Sequence, residues 1–288
     1  MTDQSSSSAN SDVSEPFDAQ APSAPHLPSD APFTPATLTL RKLTIGSGRP
    51  KVIVPITGKT ADDVQRSAAT IAQSDAADLA EFRIDYVKGP TADDIAQLCG
   101  QVRAILGDKP LLVTFRTKDE GGEQAISETD YEHVYGVILN TQPPDLIDIQ
   151  MMMDVSRVRR LVKLAHARGT AVVMSNHNFH ETPPEDVLIA RLRLQQSLGA
   201  DILKIAAMPK HPGDTIQLMQ ATWKMYSIYA ERPLLTMSMG STGLVSRVSG
   251  QLTGSSLSYG SIGSASAPGQ LDAEDLQKVL SIIASSSS

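Results

Sequence analysis

A lysine stands in the middle of Ala200-Asp-Ile-Leu-Lys204-Ile-Ala-Ala-Met-Pro209, a stretch that otherwise reads as a buried β-strand. Burial disfavours the charged ammonium and favours the free amine, which attacks ketones and aldehydes to form Schiff bases. The structural alternatives are a lysine whose stem packs while its head reaches water, or one held in an internal ion pair.

Other reactive residue types gather at the ends of strand-like segments. Glu81-Phe-Arg83-Ile-Asp85 alternates charged and apolar residues, so an extended chain points Glu81, Arg83 and Asp85 to one face. Inside a core such charges must pair with each other or with a ligand. In the first case Arg83 and Arg116 simply neutralise Glu81 and Asp85. Thr114-Phe-Arg116 runs into Thr117-Lys-Asp-Glu120-Gly-Gly, and Ser175-Asn-His177-Asn-Phe-His180 closes another strand. His177 and His180 could share a metal, but no cysteine or acidic partner stands at a familiar spacing, so no metal is expected. Met237 and Met239 are core residues or pocket walls. The turn from Gly240 to Gly243 could hold a phosphate on its amides, or a carboxylate with help from Arg247.

The elements that must position these residues follow from the hydrophobic pattern. Thr37–Leu40 and Lys42–Ile45 read as a short hairpin. Eight strand candidates follow, at 52–56, 80–87, 111–116, 146–150, 171–175, 202–206, 234–239 and 257–262, alternating with helical stretches. Thr60, Thr91 and Thr182 each precede acidic residues as helix caps, and Leu188, Leu192, Gln195 and Leu198 mark one face of the fifth helix. Eight strand-helix repeats predict an eight-stranded parallel β/α (TIM) barrel behind an N-terminal hairpin. A doubly wound open sheet is the alternative, but no Gly-x-Gly-x-x-Gly follows the first strand. In a barrel the polar strand ends converge on one mouth; in an open sheet they would spread along an edge.

Composition bounds the rest. The chain has 288 residues and a net charge of −7, of which residues 1 to 36 carry five acidic and no basic side chains, leaving −2 for the remainder. That first segment, rich in Ser, Ala, Pro and Asp, is expected to be a disordered extension, with residues 37–284 forming one catalytic domain and 285–288 a frayed end. No basic face suggests nucleic acid. No apolar run has the length of a membrane span, no secretory pattern opens the chain, and Cys99 is alone, so a cytoplasmic protein is expected.

Taken in order, Glu81-Phe-Arg-Ile-Asp, Thr114-Phe-Arg-Thr-Lys-Asp-Glu-Gly-Gly, Ser175-Asn-His-Asn-Phe-His, Ala200-Asp-Ile-Leu-Lys-Ile-Ala, Met237-Ser-Met-Gly, Ser246-Arg and Ser266-Ala-Pro-Gly-Gln resemble the type I 3-dehydroquinate dehydratase family over residues 38–284. The resemblance implies a Schiff base on Lys204, proton transfer by His177 and orientation of that histidine by Glu120. It implies substrate binding by Glu81, Arg83, Arg116, Arg247, Ser266 and Gln270, with Met237, Met239 and Tyr259 walling the pocket. It further implies 3-dehydroquinate as substrate, a homodimer, and neither metal nor nucleotide cofactor. Tyr259 and Thr253 stand where phenylalanine is more usual, and Gln150 where an acidic residue is common. Two other readings are a Schiff-base aldolase and a catalytically silent barrel that binds partners through its tail.

Overall fold

The computed structural model describes residues 37–263, 267 and 269–286; the expected N-terminal extension and Ser266 lie outside these. Strands β1 (Leu38–Leu40) and β2 (Leu43–Ile45) form an antiparallel hairpin, turning through Arg41 at a φ of 51°. Then β3 (Lys51–Ile56), β4 (Leu79–Arg83), β5 (Leu111–Thr114), β6 (Leu146–Gln150), β7 (Ala171–Asn178), β8 (Ile202–Ala207), β9 (Leu234–Ser238) and β10 (Leu257–Ser261) run parallel, each beside the next, and β10 pairs back onto β3. A two-residue strand, β11 (Leu271–Asp272), is added beside β10.

Parallel neighbours need crossover connections. Here β3 to β8 are followed in turn by α1 (Ala61–Gln73), α2 (Ala92–Leu106), α3 (Glu128–Thr141), α4 (Val155–Ala167), α5 (Glu185–Ser197) and α6 (Pro212–Lys224). Two short helices, α7 (Leu244–Val248) and α8 (Gly250–Thr253), follow β9, and α9 (Ala273–Ser285) follows β11.

The last junction differs from the ladders. Between β9 and β10 there is one bridge, Leu234 to Ser255, and the Ser256 N–H donates to the Leu234 carbonyl at 2.7 Å. Along this seam serine hydroxyls take the place of backbone acceptors: Thr236 N–H donates to Ser255 Oγ at 3.1 Å, and Ser238 N–H to Ser246 Oγ at 2.9 Å. The eight strands thus form the expected closed barrel.

Local chemistry explains most element boundaries. Thr60 caps α1 by accepting from the Asp63 N–H, and Thr91 forms a reciprocal capping box with Asp94. Thr182 does not cap α5. Pro184 holds an extended backbone ahead of Glu185, and the Thr182 hydroxyl instead donates to the Met208 carbonyl at 3.3 Å. Strand β4 stops at Arg83, short of the expected Val87, because Ile84–Tyr86 winds into a single 3₁₀ turn. Likewise β5 ends at Thr114, so Phe115 and Arg116 belong to the loop.

Inside the barrel, Ile53, Leu79, Leu112, Leu146, Val173, Ile202, Leu235 and Leu257 give one buried apolar side chain per strand. Each contributes about 1.5–3 kcal/mol by leaving water. The hairpin closes this floor from below with Leu38, Leu40, Leu43 and Ile45. At the same end, three carboxylates recur on every second strand. Asp78 accepts the Val52 N–H at 2.7 Å, Asp145 that of Leu111 at 3.0 Å, and Asp201 that of Val172 at 2.8 Å. Each also meets a cationic or imidazole group: Arg49, Arg41 and His166 respectively. Two residues further along the strands the interior changes character, to Glu81, Thr114, Asp148, Ser175, Lys204, Met237 and Tyr259. The floor supplies the burial that offsets the cost of this polar layer.

Candidate active site

Lys204 lies at the middle of β8, 2% exposed, with its side chain in the barrel interior. Its Nζ donates to Asp148 Oδ2 at 2.9 Å and to Tyr259 Oη at 2.9 Å, and stands 3.7 Å from Glu81 Oε1. An isolated ammonium would be strongly disfavoured here; two carboxylates offset that cost. The strand is also gripped from outside. Gln195, fully buried on α5, donates its amide to the Lys204 carbonyl at 2.9 Å and accepts the Lys204 N–H at 2.9 Å.

Asp148 links the lysine to the rest of the layer. It accepts from Arg116 Nη2 at 2.7 Å and from Ser175 Oγ at 2.6 Å, and Arg116 Nη1 donates to Ser175 Oγ at 2.9 Å. Burial alone would raise its carboxyl, but the Arg116 and Lys204 cations overcome that and hold it at about 2. Asp148 is thus a fixed anion at neutral pH. The same carboxylates hold the Arg116 guanidinium firmly protonated despite its burial.

His177, on β7, faces the same space. Its Nδ1 lies 2.9 Å from Glu120 Oε2, and its backbone N–H donates to that oxygen at 3.2 Å. Glu120 sits in the 3₁₀ turn Lys118–Glu120 and also accepts from Arg116 Nη1 at 3.2 Å. Close approach builds this corner: a Cβ on Gly122 would fall 1.8 Å from the Arg116 carbonyl oxygen. Burial, reinforced by the charges of Arg116, Lys204 and Arg83, pushes the imidazole well below its usual range. Burial likewise pushes the Glu120 carboxyl up, to about 7, against the pull of Arg116. With His177 neutral and Nδ1 donating to Glu120, Nε2 is left with a lone pair.

The three charges expected to share one face do not. Glu81 accepts from Thr114 Oγ1 at 2.8 Å and from Tyr259 Oη at 3.0 Å within the barrel. Asp85, carried out of the strand by the 3₁₀ turn, takes a two-point bond from Arg83 at 2.8 and 2.7 Å. It also accepts the backbone N–H groups of Arg116 and Glu123, fastening the loop after β5. So Arg83 pairs with Asp85, whereas Arg116 pairs with Asp148 and Glu120 rather than with Glu81 or Asp85.

One pocket brings together Glu81, Arg83, Arg116, Glu120, His177 and Lys204, with Met237, Met239, Arg247, Tyr259 and Gln270 on its other side. Every described residue expected at the site therefore lines it. Its empty volume, counted with the open mouth, is about 510 Å³. Arg247, on α7, is 2% exposed, and burial lowers its guanidinium to about 10, still cationic at neutral pH. His180 is exposed and turned away, its N–H donating to Asn178 Oδ1. Gln150 is bound to Thr117 through both ends of its amide, at 2.9 and 3.0 Å, and Thr253 bonds within its own turn.

Asp148 and Gln195 both bond Lys204 directly, and neither stands out in the sequence as a site residue. A lone acid inside Leu146-Ile-Asp148-Ile was the available signal for the first. Helical spacing marks Gln195 only as one residue of a packed face.

Residues 52–287 match the model of the type I 3-dehydroquinase family. The chain belongs to the type I 3-dehydroquinase family. It is 42% identical over 248 residues to the 3-dehydroquinate dehydratase of Salmonella typhimurium strain LT2, covering 86% of this chain and 98% of that one. A type I 3-dehydroquinate dehydratase from Clostridium difficile, solved with covalently modified comenic acid, superposes with a TM-score of 0.85 at 37% identity, covering 88% of this chain and all of that one. The Enterococcus faecalis enzyme gives 0.80 at 40% identity, covering 85% and 98%. Both solved enzymes thus share the fold described above.

Proposed function

We propose that this chain removes water from 3-dehydroquinate to give 3-dehydroshikimate through a Schiff base on Lys204. The observation that carries the reading is one pocket holding a buried lysine, a neutral histidine anchored to a carboxylate, and a buried arginine.

Removing a proton beside a ketone leaves a carbanion that the ketone stabilises only modestly; a protonated imine carries the positive charge that turns it into an enamine. Lys204 attacks the ring ketone, and His177 assists loss of water as the imine forms. His177 Nε2 then takes the adjacent proton, its imidazolium facing the Glu120 carboxylate. The same nitrogen returns that proton to the departing hydroxyl, which makes the elimination syn. Arg247 binds the substrate carboxylate and Gln270 closes over it, while Glu81, Arg83 and Arg116 meet the ring hydroxyls. Ser266 completes that set by resemblance. Hydrolysis of the product imine frees the lysine.

We further infer a cytoplasmic homodimer acting in aromatic amino acid biosynthesis. The lone buried Cys99 suits a reducing compartment. Exposed Ile216 and Trp223 on α6, Leu244 and Val245 on α7 and Leu252 on α8 offer an apolar face that a second copy would cover. Trp223→Glu should then shift the sedimentation of the protein to that of the monomer.

The purified protein incubated with 3-dehydroquinate, with and without borohydride, tests the reaction. The expected result is enone absorbance together with a reduced adduct on Lys204, read by intact and peptide mass. An adduct without enone would point to carbon–carbon bond chemistry, and neither signal would leave a silent barrel.

A further inference from the structure

Tyr259, expected in the pocket wall, also brings a phenol into the polar layer. Its Oη accepts from Lys204 Nζ at 2.9 Å and donates to Glu81 Oε1 at 3.0 Å, so three polar atoms form an unbroken hydrogen-bonded line. The direct distance from Nζ to Glu81 is 3.7 Å, beyond hydrogen-bond reach, so the phenol supplies the hydrogen-bonded path between them.

Schiff-base formation requires the ammonium to lose a proton before the amine can attack. Two carboxylates are near enough to receive it. Asp148 is nearer, but its oxygens already accept from Arg116, Ser175 and Lys204, and those cations hold it at about 2, which makes it a poor base. The side-chain donors on Glu81 are the Thr114 hydroxyl and the Tyr259 phenol, both neutral. A proton placed on Glu81 displaces no hydrogen-bonded cation, whereas one placed on Asp148 would oppose the Arg116 guanidinium bonded to it.

We infer that Tyr259 relays the Lys204 proton to Glu81, and so readies the amine for attack. The inference rests on the Schiff-base reading above. One N–H bond of the ammonium breaks as the proton moves to Oη, and the phenol O–H bond breaks as its proton moves to Oε1. The products are a neutral amine, an intact phenol and a protonated Glu81, with no net change in charge. The reverse transfer restores the ammonium when product leaves. The other charged or titratable groups around this line are Asp148 from β6, Arg83 from β4, Arg116 from the loop after β5, Glu120 from the 3₁₀ turn that follows it, His177 from β7 and Arg247 from α7. Of these, Asp148 alone is an acceptor bonded to Nζ.

Tyr259→Phe removes the hydroxyl and keeps the ring. Imine formation is to be followed by rapid mixing with saturating 3-dehydroquinate and borohydride quenching, from pH 6 to pH 9, in water and in deuterium oxide mixtures. We expect the variant to form the Lys204 adduct about tenfold more slowly than the unmodified protein at pH 7. It should approach the unmodified rate at pH 9, where solvent hydroxide can take the proton. The two-proton dependence on deuterium content should become a one-proton dependence. Glu81→Gln, with the phenol retained, should show the same slow imine formation at pH 7. A Tyr259→Phe profile superimposable on that of the unmodified protein overturns the relay, as does an unchanged imine rate in Glu81→Gln. A loss equal at every pH would also overturn it, since that marks packing rather than proton transfer. Absence of any Lys204 adduct in the unmodified protein would instead refute the Schiff-base reading itself.

Discussion

At the floor of the barrel, Asp78, Asp145 and Asp201 each accept the N–H of a neighbouring strand and meet a basic group. At the mouth, Glu81, Glu120 and Asp148 bond mainly to side chains whose own protons the reaction must move or hold. The same residue types thus serve opposite purposes a few residues apart. Below, every carboxylate satisfies the backbone, so its charge works for the fold. Above, Glu120 is pushed up to about 7 and His177 well below its usual range, so ionisation there is poised against burial. The difference teaches that buried carboxylates gathered around one lysine and one histidine mark function, while carboxylates spaced along the barrel floor, each bonded to a neighbouring strand's amide, mark stability.

Substitutions at the mouth should abolish chemistry without unfolding the chain. Lys204→Ala should lose on the order of 10⁵-fold or more in kcat, the scale of deleting a nucleophile, and should show no borohydride-dependent mass increase. His177→Ala should lose about 10²- to 10⁴-fold while still accumulating the imine; near-normal turnover would remove it from the mechanism. Arg247→Ala should raise KM about 10- to 100-fold, as expected for losing a charge-assisted contact. An unchanged KM would place the substrate carboxylate elsewhere.

The sharpest comparison pairs one carboxylate from each end. Between about pH 4.5 and pH 7 the folded protein keeps a proton on Glu120 that the unfolded chain releases. Stability therefore falls as pH rises through that window, by up to about 3 kcal/mol. Glu120→Gln should relieve this, raising Tm at pH 8 and leaving it little changed at pH 4.5, while lowering kcat. In the unmodified protein kcat/KM should fall as the pH drops through about 7, where Glu120 gains its proton and no longer faces the imidazolium as an anion. Asp78→Asn should do the reverse, costing about 1–3 kcal/mol of stability with kcat within about twofold. If both variants moved Tm in the same direction at pH 8, the contrast between the two ends would fail.

Much of this was legible in the residues. Lys204 interrupts an apolar run, His177 stands in the polar run just past one, and Glu120 precedes a glycine pair, and alternation with helices placed those strand ends on one mouth. The register between strands was not legible. Asp148 reaches Lys204 across two strand junctions, a neighbour set by barrel closure and shear rather than by sequence spacing. Gln195 was hidden for a related reason: helical periodicity put it on the buried face, but a buried amide says nothing of which backbone it will grip. Strand ends were overrun at β4 and β5 because Ile84-Asp85-Tyr86 and Phe115 have strand-like composition, and only the turn chemistry around Asp85 bends them away.

The seam between β9 and β10 gives the barrel wall a place to breathe. Its amides at Thr236 and Ser238 depend on two serine hydroxyls, which rotate, where the other strands rely on carbonyls fixed in a ladder. Met237 lies between those two amides, and Tyr259 sits on the strand opposite. Deuterium should enter Thr236 and Ser238 ahead of the β6–β7 ladder, and a ligand bridging Met237 and Tyr259 should slow that entry by stitching the seam shut.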